Sequence, residues 1–378
     1  MNAKTATLVL IAVLLAIFVS LGWWFSQTKR DVPDSPLPAA AISKSPTTAE
    51  HKSLSRPEWD FTAAASALVA ASTGEARAAA LAQLRGALTS GGTNEVSAAI
   101  RRLLDAKTDA PTGQGFKIGG SGALLEAPTL RTLLLDQLAA LDPVAAAAYA
   151  RTVLSSSTSP DEWAIALRNL ARGDTSAAAR ALLEAKTAEL LGNQAWQREA
   201  SVGYLEAFDT AVHLGGTTLL PPLTELVSRK DNPAVAHAAY LTLDRLVINQ
   251  PVQTLATLND HPEWMTGREE TRANYFARAD VGDAAQRQLV ESYLLAAARD
   301  PAELQAFAGV FPNANFMISH NLLTSNPTLD GTTLARRDQA ALAVVNEWLN
   351  DPRFAQLQPQ LERMQARLSE FTKRSEGH

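Results

Sequence analysis

The side chains best suited to acid–base work or metal binding near neutral pH are six histidines: His51, His213, His237, His261, His320 and His378. None stands four residues from another, and none sits in a His-Glu-x-x-His frame. No helix face therefore carries the paired imidazoles of a zinc site. Cysteine is absent, which removes thiolate nucleophiles, disulfides and Cys-based zinc or iron–sulfur centres. Ser26 and Lys29 have the spacing of a Ser–Lys nucleophile pair, but they border an apolar run and a Pro-rich stretch, with no element to orient them. The acidic pairs Asp161-Glu162 and Glu269-Glu270 are adjacent in sequence, so on a helix they diverge by about 100°. A helix's first turn also attracts carboxylates through its dipole.

Glycine-rich phosphate loops fail in the same way. Thr108 to Gly122 reads TDAPTGQGFKIGGSG. Gly113-x-Gly115 is not followed by a glycine at the right place, no Gly-Lys-Ser/Thr appears, and neither motif is preceded by a strand. Gly119-Gly120-Ser121-Gly122-Ala123 approaches a nucleophile elbow but ends in alanine. The stretch reads as a long connector, or as a loop that binds a peptide or partner. The other candidate is FPNANFMISHN, in which Phe311, Asn313, Asn315, Phe316, His320 and Asn321 mix aromatic and amide groups. That composition suits a well-bonded buried turn or a partner-binding surface. No catalytic, cofactor or metal set emerges, and the weight falls on binding rather than catalysis.

The elements that must position these residues read as all-α. Alanine and leucine dominate, aromatic residues are 6% of the chain, and both facts favour helix over sheet. Trp59 to Ala71 and Glu75 to Leu88 read as helices joined by Ser72-Thr73-Gly74, and Asn94 to Ala106 as a third. Thr129 to Leu141 stops at Asp142-Pro143. Ser159-Pro160 and Asn232-Pro233 repeat that cap-then-proline device. No stretch alternates as a strand. Helix pairs open near Thr129, Asp161, Gln197 and Asn232, at separations of about 32, 36 and 35 residues, the mark of stacked helical repeats.

The best-formed unit is Leu219 to Leu246, LLPPLTELVSRKDNPAVAHAAYLTLDRL. It resembles a HEAT repeat: Leu219, Leu220, Leu223 and Leu226 on a first helix, an Asp-bearing turn, then Val235, Ala238, Ala239, Leu243 and Leu246 on a second. The basic residue often found after the valine is replaced by Ala236. The resemblance implies an α-solenoid of antiparallel helix pairs; an irregular helical domain is the alternative. Near the C-terminus, Phe354, Leu357, Leu361, Met364, Leu368 and Phe371 form a heptad seam that Pro359 is expected to interrupt. It suits a helix capping the last repeat, or a homodimer contact.

At the other end, Thr7 to Phe25 carries no charge. At 1.5 Å per residue, about 19 residues span roughly 28 Å, near the thickness of a bilayer's hydrocarbon core. Thr7, Leu8, Val9, Leu10, Ile11, Leu14, Leu15, Ile17 and Phe18 supply the apolar body, and Trp23, Trp24 and Phe25 the interfacial aromatics. No small-x-small cleavage site follows closely, so an uncleaved single-pass anchor is expected rather than a signal peptide. Gln27 to Ser55 is rich in proline and small polar residues and reads as a flexible tether of about 30 Å.

The expected organisation is an anchor (1–26), a linker (27–56), a helical unit (57–107), a Gly-rich connector (108–122), a helical-repeat body (123–280) and a C-terminal helical region (281–378). A net charge of −5 argues against nucleic acid as a partner. The expected partners are membrane lipid at the anchor and a protein at the body. With a bacterial source the body would be extracytoplasmic and the N-terminus cytoplasmic. The functional expectation is a membrane-anchored scaffold or adaptor in the cell envelope. The alternative is an enzyme or ligand-binding protein whose site is assembled from distant helices.

Overall fold

Asp142, Ser159, Ser176, Asn232, Asp283 and Asp300 each place a side-chain oxygen on the free N–H groups of the helix that follows, and four of these caps precede a proline in the first turn. A cap is worth about 1 kcal/mol, and a proline at that position loses no helical hydrogen bond. In the computed structural model the described residues are 61–376 apart from 297, 298, 316, 318–320 and 327, and they lie within one unit, Pro57–His378. Among them the fold is all-α apart from one short hairpin. The expected anchor and linker lie outside the described residues, as do His51, Phe316, His320 and His378. Among the described residues no helix is long and apolar enough to cross a membrane.

Three helices open the unit: α1 (Phe61–Ala70), α2 (Gly74–Ser90) and α3 (Thr93–Asp105). Thr73 caps α2 through its hydroxyl, as its place in the Ser-Thr-Gly turn predicts. The hairpin of β1 (Lys117–Ile118) and β2 (Leu124–Glu126) follows, antiparallel with a bulge. This corrects the expectation that the chain has no strand. Two- and three-residue strands are too short to show alternation, and these exist because the connector is held down on both sides. Phe116 is buried; Arg85 of α2 donates to Gln114 and to the Leu125 carbonyl.

Then come α4 (Leu130–Leu141), α5 (Pro143–Ser156), α6 (Pro160–Gly173), α7 (Ala177–Leu191), the short α8 (Gln194–Arg198), α9 (Val202–Glu206) and α10 (Asp209–Leu214). They are followed by α11 (Leu220–Val227), α12 (Pro233–Asn249), α13 (Pro251–Asp260), α14 (Glu269–Phe276), α15 (Ala284–Leu295) and α16 (Pro301–Val310). α5 packs closely on α6 and α11 on α12, while α4 touches α6, α6 touches α9, and α9 and α10 both touch α12. Gly173 lets α6 approach α5: a Cβ there would lie 2.1 Å from the Pro143 carbonyl oxygen. All nine apolar positions read from the Leu219 to Leu246 unit are buried.

The last two helices, α17 (Gly331–Asn350) and α18 (Gln358–Glu376), pack side by side, with a 3-10 turn at Pro352–Leu357 between them. Pro359 does not interrupt the C-terminal helix, contrary to the sequence expectation. It falls in the first turn of α18, where its missing N–H is no loss. Phe354, Leu357, Leu361, Met364 and Leu368 are buried, and only Phe371 of the seam is exposed. α18 lays the buried part of the seam on α17 and α16.

Candidate functional site

Charged residues inside a helical core must be paired, because desolvating a lone charge is costly. Here the pairs recur about one helix pair apart. Arg131 of α4 grips Glu162 of α6 through two bonds of 2.8 and 3.2 Å. Asp136 of α4 accepts from Arg168 of α6 at 2.6 Å. Asp244 of α12 takes both arms of Arg278, just beyond α14, at 2.8 and 2.9 Å. Arg272 of α14 donates to Glu303 of α16 at 2.7 Å. The partners stand 31, 32, 34 and 31 residues apart: two pairs join α4 to α6, one joins α12 to the turn after α14, and one joins α14 to α16. All four carboxylates are buried.

Several of these side chains, with neighbours on the same helices and Asp209 of α10, also hold loop segments. Arg168 donates to the Gly122 carbonyl at 2.7 Å, and Arg172 to the carbonyls of Ser121 and Leu322 at 2.8 and 3.0 Å. Asp209, fully buried at the start of α10, accepts from the Leu323 and Thr324 amides at 2.6 and 2.8 Å and from the Thr324 hydroxyl. Arg245 of α12 donates to that same hydroxyl at 2.7 Å, to the Ser325 carbonyl at 2.7 Å and to the Asn326 side chain at 3.0 Å. Arg278 adds the carbonyls of Asn313 and Asn315. One polar line, from Arg168 to Arg278, thus holds two segments distant in sequence, largely by their main chains.

Its electrostatics follow from burial. Desolvation pushes the carboxyls of Asp209 and Asp244 above the ordinary carboxylate range, while the donors around them pull the other way. The same burial lowers the guanidinium pKa of Arg172 and Arg245. Asp161 is also raised by burial, against bonds from the Ser201 hydroxyl and the Gly203 amide.

Of the candidate residues read from the sequence, Asn313 and Asn315 meet Arg278 at the far end of this line. Phe311 is fully buried in a run of rings through Tyr293, Phe307, Trp348 and Phe354. Asn313 donates its amide to the Ala277 carbonyl at 2.7 Å, and its side chain accepts from the Asn315 amide. Asn321 is partly exposed, just ahead of the Asp209 contact. Asp209, Asp244, Arg172, Arg245 and Arg278 were not singled out in the sequence. Their available signal was Asp or Arg placed among apolar residues, as in the Tyr-Leu-Thr-Leu-Asp-Arg-Leu of α12.

A cavity of about 160 Å³ lies beside Arg278, lined by Val247, Pro251, Asp280, Gln286, Asn313 and Arg337 among others. Its one carboxylate, Asp280, is engaged by the Gly282 amide and Arg336, and Arg337 donates to the Arg278 carbonyl. The lining offers neither a nucleophile nor a histidine. Among the described residues no His, Asp and Glu gather as a metal-binding group. Comparison with known protein families, curated proteins and solved structures gives no match.

Proposed function

We propose that the chain is a membrane-anchored helical-repeat scaffold that binds an extended stretch of a protein partner in the cell envelope and performs no chemistry on it. In this reading the helices of the body form an α-solenoid-like stack of antiparallel pairs. The apolar run Thr7 to Phe25 holds the stack to the bilayer, with the body on the extracytoplasmic side. One observation carries the proposal: the polar line from Arg168 to Arg278 grips non-helical loop segments chiefly through main-chain N–H and C=O groups. Side chains that bond to a main chain can hold many sequences, which is how stacked-helix proteins engage extended partners.

The test is a crosslinking pull-down from intact membranes, comparing the full chain with one lacking the residues before Pro57. A partner captured by the full chain, and captured less once the anchor is gone, is the expected result. No specific partner with either form, or release of the full chain from membranes by a carbonate wash, would overturn the reading.

A further inference from the structure

The contacts at Asp209 and Arg245 have the form of a recognition socket. Asp209 accepts three donors, all from the segment Leu322 to Asn326. Arg245 meets three acceptors of the same segment: the hydroxyl of Thr324, the carbonyl of Ser325 and the carboxamide of Asn326. The Thr324 hydroxyl is used twice, donating to Asp209 and accepting from Arg245, which uses its one proton and one of its lone pairs. Neither valine, which lacks the hydroxyl, nor an acidic residue, which would face Asp209, can take its place. The socket therefore reads a hydroxyl side chain, a free main chain on either side, and a carboxamide two residues on. Leu322 adds a fully buried apolar anchor.

We infer that this socket is a binding site for a non-helical polypeptide segment of the type Leu-x-Thr/Ser-x-Asn, and that Leu322 to Asn326 is its resident occupant in cis. The inference rests on the scaffold reading and names the chemistry of the partner segment. A partner binds where the chain's own segment lies, so binding requires the resident to leave. The grips on the resident are polar contacts to side chains of the helical row. They are made by residues already positioned by α10 and α12, so the socket persists when the segment is gone. The line also holds Gly122, Asn313 and Asn315 by their carbonyls, so holding loop main chain is a property of the row.

The experiment uses purified full chain and a fluorescein-labelled peptide of sequence Asn-Leu-Leu-Thr-Ser-Asn, read by anisotropy. The double variant Thr324→Val, Asn326→Ala loosens the resident and leaves Asp209 and Arg245 intact. It should bind the peptide at least tenfold more tightly than the unaltered chain. Adding Asp209→Asn should remove that gain, and a peptide with Ser for Thr should bind while one with Val should not. A folded double variant with no gain in peptide affinity would overturn the inference and make the segment a fixed strut.

Hydrogen exchange on the unaltered chain decides the matter should the variant misfold. Excess peptide should speed exchange at the Leu323 and Thr324 amides while leaving the α12 amides unchanged. Exchange of those two amides only with global unfolding, and insensitive to peptide, would sink the proposal. Peptide binding in purified components bears on the socket, and partner capture from membranes bears on the scaffold, so the two readings fail separately.

Discussion

Asp244 and Arg278 show what a single buried pair contributes. Both are buried, they meet through two short bonds, and Arg278 also holds the Asn313 and Asn315 carbonyls. Removing one partner leaves a desolvated charge, a loss of about 3–5 kcal/mol, whereas removing both removes the charge itself. Arg278→Met and Asp244→Leu should each lower unfolding free energy by about that much, and the double variant should recover more than half of one loss. A double variant as unstable as the sum of the singles, by urea titration, would show that the pair is not coupled. Asp209 gives a pH signature. Its folded pKa is raised from the ordinary 3.8, first by burial, so between 3.8 and the folded value the folded state keeps a proton the unfolded chain has lost. Stability from this group therefore falls as pH rises across that window and returns as pH drops. Compared with Asp209→Asn, the unaltered chain should gain relative stability on acidification through it, and a gap that is flat with pH would contradict the assignment.

At the scale of elements, Gly122 joins two loops. Its φ of +75° suits glycine, and a Cβ there would lie 2.3 Å from the Leu322 carbonyl oxygen and 2.4 Å from Arg172. Gly122→Ala should cost about 1–3 kcal/mol and expose the chain near Leu322 to limited proteolysis, while Gly120→Ala, which meets nothing within 4 Å, should do neither. Helix starts were legible in the sequence because caps are local: Asp142, Ser159 and Asn232 act within three residues of their own position. The apolar faces of α11 and α12 were legible from periodicity for the same reason. What was not legible depends on residues brought from far away. Lys117–Ile118 is strand only because Leu124–Glu126 and α2 are beside it, and Asp209 acquires a role only when Thr324 arrives. Phe311 and Asn313 stood out by type, yet their types could not say whether they face solvent or the Tyr293 and Trp348 rings.

For the whole molecule, the question is how far stability is shared along the chain. A stack in which each helix pair meets only its neighbours unfolds piecemeal, because its stability is a sum of local and nearest-neighbour contributions. The charge pairs 31–34 residues apart are of that kind. The contacts of Asp209 with Leu323 and Thr324, and of Arg172 with Leu322, are not: they tie positions 114, 115 and 150 residues apart. Such ties close long loops across α11 to α16 and make the middle of the chain open together with its C-terminal third. The unaltered chain is therefore expected to unfold in urea through one transition whose midpoint is the same for tryptophan fluorescence and for helix content. Asp209→Asn combined with Arg172→Ala and Arg245→Ala keeps the nearest-neighbour pairs and cuts the long ties, those of Arg245 to Thr324, Ser325 and Asn326 included, so the two probes should separate and the apparent m value should fall. Tryptophans on both sides, Trp163 and Trp196 toward the middle and Trp348 toward the end, make the separation visible. Coincident transitions and an unchanged m value in the triple variant would mean that cooperativity passes through helix packing alone, and that the segment at Leu322 contributes only local contacts.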